Sequence, residues 1–287
     1  MLLSDKARGH TALERHHHKL ARAAKRRRSG GNPKAIYAFK AWDEIAERMK
    51  TSDPRVVLLD FDGTLAPLRK DPTATKLSQR AKRLLRRLAA TKGVTVAIVS
   101  GRSARTVRDL VGLDQIGYFG LHGSENIKNS PDISLEERRA LQSAKRWARR
   151  GLRDFQGVGF EDKGLGFTIH YRGAGNAAVR GASQALLAAM APLRHALNIH
   201  NGKKIWEVLP RQIAGKGFAV QKMVAQFPTT AGVLYIGDDE PDEKAFAALD
   251  EHITIRVGKS EATHARFYLR NPTEVLQFLS KLGRELQ

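Results

Sequence analysis

Two carboxylates stand two residues apart in Asp60-Phe61-Asp62-Gly63-Thr64. Anions crowded in this way are costly unless a proton or a cation relieves them. Magnesium, a hard cation that favours oxygen ligands, is the expected relief. With the charge offset, Asp60 can attack phosphorus. Asp62 can give a proton to a leaving alcohol and later take one from water. Gly63 lets the backbone turn tightly beside a phosphate. Three further clusters suit the same chemistry. The Ser100 hydroxyl can hold a phosphate oxygen, and Arg102 lies two residues on. Lys216, set between Gly215 and Gly217, can neutralise phosphate and nucleophile from a helix start. The run from Gly237 to Glu243 holds Asp238, Asp239, Glu240, Asp242 and Glu243, a candidate metal site. Taken singly, each cluster has an ordinary structural reading as a turn, a cap or a solvated helix start.

What gives them weight is the elements that must position them. Val56-Val57-Leu58-Leu59, Val94 to Val99 and Val233-Leu234-Tyr235-Ile236 are apolar runs that predict strands buried on both faces. Asp60, Ser100 and Asp238 follow those strands, and ligands of an open parallel sheet bind beyond the strands' carboxyl ends. Helices are predicted over 35–50, 78–90 and in the chain after Val107, so strand and helix alternate as in a parallel sheet with right-handed crossovers. Ile253 to Val257 predicts a further strand. Asn271-Pro272-Thr273-Glu274 opens a last helix, with asparagine as cap and proline at the first position. Between about 126 and 206 the texture changes. A basic helix over 135–150 leads to a Gly-rich strand ending at Arg172, and an Ala-rich helix covers 177–193. Asn201-Gly202, lying between extended segments, signals a hairpin turn. The expected class is α/β, a Rossmann-like parallel sheet core with an inserted α+β cap. The expected division is an arm over 1–33, a core over 34–125 and 207–287, and the cap over 126–206.

The order D-x-D-x-T, Ser, Lys and acidic pair resembles the haloacid dehalogenase superfamily. The acid at Asp62 is similar to its phosphatase and mutase branch. Within it, residues 58–67, Val99-Ser100-Gly101-Arg102, Gly120 to Glu125, His170-Tyr171-Arg172, Gly202 to Val208 and Gly237 to Glu243 resemble the trehalose-6-phosphate phosphatases. The resemblance implies an aspartyl-phosphate on Asp60, acid–base work by Asp62, and magnesium held by Asp60, Asp238 and the main-chain carbonyl of Asp62. It implies sugar contacts from Lys203, Lys204 and Glu207, help with substrate from Arg102, His122 and Arg172, and an additional acidic motif at Asp239 and Asp242. The implied substrate is a small sugar phosphate, trehalose 6-phosphate first, with sucrose phosphate, a glycosylated phosphoglycerate or another hexose phosphate as the alternative. A trehalose-phosphate synthase is the partner the resemblance leaves open. Three positions depart from the family's pattern. Pro241 replaces a threonine usual there, Leu209 stands where a basic residue is frequent, and Leu121 where asparagine is frequent.

Composition narrows the rest. With no cysteine among 287 residues, disulfides, thiolate metal sites and a cysteine nucleophile are excluded, which fits the expected cytoplasmic location. The net charge of +21 calls for an anionic partner. Residues 1–34 carry ten Lys and Arg against Asp5 and Glu14, or +8, which leaves +13 for the remainder. That arm has no interleaved aromatics, so nucleic acid is not expected as a partner. No stretch reaches the ~18–20 apolar residues of a membrane span, so none is expected.

Overall fold

The computed structural model describes residues 34–68, 75–129, 131–202, 204–213 and 215–287. The expected arm over 1–33 and Lys203 lie outside them. The chain opens with a short strand, β1 (Ile36–Tyr37), and a helix, α1 (Trp42–Thr51). The helix expected from residue 35 thus starts seven residues later, because Ile36 and Tyr37 pair with Phe267 and Tyr268, far along the chain. Then follow β2 (Arg55–Leu59), α2 (Gln79–Ala89), β3 (Val94–Val99), α3 (Ala104–Val111), β4 (Gly117–Gly120) and β5 (Glu125–Asn126). Next come α4 (Leu135–Gly151), β6 (Gly159–Asp162), β7 (Phe167–His170), α5 (Asn176–Met190), β8 (Leu197–Gly202) and β9 (Ile205–Pro210). The chain closes with α6 (Lys216–Val224), β10 (Gly232–Gly237), α7 (Glu240–Ala248), β11 (Ile253–Val257), β12 (Phe267–Leu269) and α8 (Pro272–Glu285). Among the described residues, no helix is long and apolar enough to cross a membrane.

The larger sheet has eight strands in the order β1-β12-β11-β10-β2-β3-β4-β5. All its pairings are parallel except that of β4 with β5. The apolar runs seen in the sequence are its central strands, and they are buried on both faces. Val57, Leu59, Leu234 and Ile236 pack on one side, Val56, Leu58, Val233 and Tyr235 on the other. Most important for the site is that β10, β2 and β3 are neighbours in register, Leu59 standing level with Ile236 and Ile98. The residues just past these strands, Asp60, Ser100 and Asp238, are therefore delivered to one edge.

The smaller sheet is antiparallel, ordered β6-β7-β9-β8. One face packs on α4 and α5 through Phe167, Ile169, Trp206 and Val208. Three sequence expectations shift here. The single Gly-rich strand is two strands, β6 and β7. The hairpin turn is not at Asn201-Gly202, since Gly202 still pairs with Ile205, and Lys204 takes the left-handed backbone at φ 66°. Gly202 is needed for closeness, because a methyl there would meet Ile205. The expected boundary after 206 falls inside β9, which stays paired with β8 through Pro210, so residues 207–210 belong to this sheet and not to the core.

A small apolar cluster of Leu121, Ile133, Leu209 and Ile213 sits where the chain passes between the two sheets. Two of the three departures noted above, Leu121 and Leu209, thereby have a packing role. Both are buried in that cluster.

Candidate active site

Asp60 leaves β2 with its N–H bonded to the Ile236 carbonyl at 2.8 Å, which pins it beside the end of β10. Lys216 is the first residue of α6, capped by Gly215. Its Nζ, buried, donates to Asp60 Oδ1 at 2.8 Å and to Asp242 Oδ1 at 2.6 Å. Asp242 accepts from Tyr235 Oη at 2.6 Å, and its other oxygen accepts from the N–H groups of Asp238 and Asp239 at 2.9 and 3.1 Å. Asp239 and Asp242 form a reciprocal capping box at the start of α7. The acidic run is thus a built helix start, ordered around one buried carboxylate.

The electrostatics follow from burial. Burial would raise Asp242, but Lys216 and the hydrogen bonds from its neighbours outweigh it and hold the carboxyl at about 2. Burial pushes Asp60 well above the usual range, with Lys216 opposing and Asp242 and Asp238 adding to it. Burial and then Asp239 and Asp242 push Asp238 up to about 7. For Lys216, burial works against the charge, yet Asp242 and Asp60 win and raise it well above the usual value.

A hard cation fits this donor set. Asp60 Oδ2 and Asp238 Oδ1 are buried and have no hydrogen-bond partner among the described residues. Two bare carboxylate oxygens with raised proton affinity call for positive charge between them. Asp60, Asp238 and Asp242 each have an oxygen within 4.8 Å of the others. Asp242 is nonetheless the poor ligand of the three, because Lys216, Tyr235 and two main-chain N–H groups already occupy its oxygens. Gly63 makes the approach possible, since at φ 84° a side chain there would run into the Asp238 carboxylate.

Asp62 is paired differently. Arg102 grips it with both arms of the guanidinium, Nε to Oδ2 at 2.6 Å and Nη2 to Oδ1 at 2.7 Å. Ser100 Oγ accepts the Arg102 N–H at 3.2 Å, which leaves its hydroxyl hydrogen to donate elsewhere. His122 sits in a turn where it and Leu121 both take left-handed backbone, at φ 59° and 46°. The turn is held by N–H bonds from Leu121 to the Arg102 carbonyl and from His122 to the Ser100 carbonyl, both at 2.9 Å. Such strain persists only where surroundings over-determine it. Here it aims His122 Nε2 at Glu207 of β9, a contact between the two sheets.

The cleft between the sheets has a volume of about 900 Å³. It brings together Asp60, Asp62, Ser100, Arg102, His122, Arg172, Lys204, Glu207, Lys216, Asp238 and Asp239 from the sequence reading. Asp242 lies beneath it, fully buried.

A profile of the trehalose-phosphatase family matches residues 58–273 of this chain. The trehalose-phosphate phosphatase of Mycobacterium tuberculosis (strain H37Rv) is 32% identical over 284 residues, 91% of this chain and 68% of that protein. The chain belongs to the trehalose-phosphatase family. A solved structure of Aspergillus fumigatus trehalose-6-phosphate phosphatase is 28% identical, with a TM-score of 0.60 over 89% of this chain and 99% of that one. The C-terminal domain of Candida albicans trehalose-6-phosphate phosphatase shares the fold at 23% identity, with a TM-score of 0.71 over 89% and 99%.

The trehalose-phosphatase site also contains residues that the sequence reading missed. Glu161, Thr168 and His200 stand level with the expected Glu207 across β6, β7, β8 and β9, a polar row on the cleft face of the smaller sheet. Lys163 Nζ donates to Glu207 Oε1 at 2.7 Å, and His170 Nε2 lies 2.7 Å from Glu161 Oε2. Burial would raise Glu207, but His122 and Lys163 hold it far below the ordinary range. The signal was alternation. In Phe167-Thr168-Ile169-His170 and Trp206-Glu207-Val208, every second residue is polar, and Glu161 and Lys163 keep the same period.

Proposed function

We infer that this chain hydrolyses trehalose 6-phosphate to trehalose and inorganic phosphate, with magnesium, through an aspartyl-phosphate on Asp60. One observation carries the reading. Lys216 holds the Asp60 carboxylate at 2.8 Å at the floor of the cleft, where Asp62, Ser100, Arg102 and Asp238 line the same space. Asp60 attacks phosphorus, the P–O bond to the sugar breaks, and the leaving oxygen takes a proton from Asp62. Water then attacks the phosphorus of the acyl phosphate, and Asp62 recovers the proton. That returns Asp60 and releases phosphate.

Arg102 has a part in this exchange. It grips the Asp62 carboxyl with both arms, and an incoming phosphate competes for the same guanidinium and frees that carboxyl to meet the leaving oxygen. Lys216, the Ser100 hydroxyl and Arg102 then hold the phosphate oxygens. Asp60, Asp238 and the Asp62 carbonyl would hold magnesium, which when bound offsets repulsion between the anionic nucleophile and the phosphate. The smaller sheet serves as the cap, spanning about 127–213. Glu207, Lys163, Glu161, His170 and Lys204 offer the sugar its hydrogen bonds, and Arg172 and His122 line the same space.

Phosphate release is measured from trehalose 6-phosphate, sucrose phosphate, a glycosylated phosphoglycerate and glucose 6-phosphate, with magnesium or chelator, beside Asp60→Asn. Preference for trehalose 6-phosphate, abolished by chelator and by the variant, is expected. Turnover of the other esters alone would overturn the substrate, and turnover that survives Asp60→Asn would overturn the nucleophile.

A further inference from the structure

Tyr235 is a large polar side chain in the middle of the central strand β10, with no exposure to solvent. Its neighbours on that face are Val56, Leu58, Val233 and Phe246, whose ring meets its own edge-on at 5.8 Å. A buried hydroxyl costs stability unless it is bonded, so an apolar ring would serve packing alone as well or better. The hydroxyl has one partner of consequence. It donates at 2.6 Å to Asp242 Oδ1, the same oxygen that accepts Lys216 at 2.6 Å. The second Asp242 oxygen holds the N–H groups of Asp238 and Asp239. The carboxylate also presses on Gly237, where a side chain would collide with it. Asp242 therefore sits at a junction, one oxygen toward Lys216 and Asp60, the other toward the loop that carries Asp238. Its rotation is set by what bonds each oxygen.

We propose that Tyr235 is a positioning residue for catalysis: its hydroxyl fixes the Asp242 carboxylate, which in turn places Lys216 on Asp60 and the Asp238 loop beside it. The assignment rests on the reading of Asp60 as nucleophile. Without the phenol, the shared oxygen keeps only Lys216, and the carboxylate can turn toward it. That shift lengthens the Lys216–Asp60 contact and loosens the Asp238 N–H bond together.

Tyr235→Phe keeps the ring and removes one hydrogen bond. Its kcat on trehalose 6-phosphate should fall roughly 5- to 20-fold, with KM within about two-fold and a melting temperature near wild type. Magnesium binding, titrated by calorimetry without substrate, should weaken several-fold. In an Asp242→Asn background the same change should add less than about two-fold to either loss, because the route through Asp242 is already gone. An unaltered kcat and magnesium affinity in Tyr235→Phe would overturn the proposal, as would a loss that repeats in full in the Asp242→Asn background. If wild type releases no phosphate from any ester, the nucleophile reading fails. The calorimetric comparison then still decides whether Tyr235 places the Asp238 loop.

Discussion

The two walls of the cleft are built on opposite principles. The floor, from the parallel sheet, sets its chemistry just beyond strand ends, in a buried network where Lys216, Asp242, Tyr235 and Asp60 share bonds. The roof, from the antiparallel sheet, sets its polar groups along and beside the strands. Glu207, Lys163, Glu161 and His170 are paired side chain to side chain across one open face. In the proposed reaction the floor residues meet the phosphorus and its charge, which every phosphate ester presents, and the roof residues meet whatever the ester carries. On that reading, reaction and substrate choice are separable in this molecule. Floor substitutions should depress turnover of any ester, and roof substitutions should act on the sugar phosphate alone.

The sharpest break is Asp60→Asn, expected to lower kcat by roughly 10³- to 10⁵-fold on trehalose 6-phosphate and on a small aryl phosphate alike. Parallel assays of the two esters check it. A loss confined to the sugar phosphate would erase the division between floor and roof. Lys216→Met comes next. It strands the buried carboxylates of Asp60 and Asp242, so both activity and about 3–5 kcal/mol of stability should go, read by denaturant unfolding.

Glu207→Gln tests the roof. KM for trehalose 6-phosphate should rise roughly 10- to 100-fold, while hydrolysis of the aryl phosphate stays within about two-fold. Glu207 also carries a pH signature. Against the upward push of burial, His122 and Lys163 hold its carboxyl far below the ordinary value of 4.5, so its stabilising contribution is fully present above that value. It is lost as pH falls through the depressed folded value. The gap in melting temperature between wild type and Glu207→Gln should be flat from pH 6 to 8 and close in strong acid. The smallest effect is expected from His170→Ala. It leaves Glu161 half-exposed without its partner and should shift KM by only a few-fold, since pairs in contact with solvent contribute about 0–1 kcal/mol.

A stability profile away from the cleft gives an independent check. Burial lowers His252 to about 4, with nearby Arg48 reinforcing it. Folding favours the neutral ring, so stability is full above the ordinary value of 6.5 and falls as pH drops from there toward 4. His252→Gln should flatten that limb of the pH–stability curve without changing KM.

The floor was legible residue by residue. A buried parallel strand shows itself as an unbroken apolar run, so the polar residue that ends it is already marked as lying at the sheet edge. Asp60, Ser100 and Asp238 are named by that rule. Lys216 is named by its place at a helix start between glycines. The roof was legible only in part. Glu207 came from resemblance, whereas Glu161, Lys163 and His170 went unread, because alternation reveals two faces without saying which one meets the floor. The turn at Lys204 was displaced for the same reason. The Asn-Gly pair is a local signal, and the ladder that overrides it depends on pairing with β9.

The sequence by itself determined the alternation of the central strands β2, β3 and β10 with helices, the residues at the ends of those strands, and the excess of positive charge. These follow from side-chain chemistry and from neighbours along the chain. Only the tertiary structure decided that β10, β2 and β3 lie side by side, that Asp242 sits below the cleft rather than in it, and that Leu121 and Leu209 share one apolar cluster. It also decided that His122 reaches Glu207 from the opposite sheet. Those outcomes rest on contacts between residues far apart in the chain, and register and packing set them only when the whole core closes.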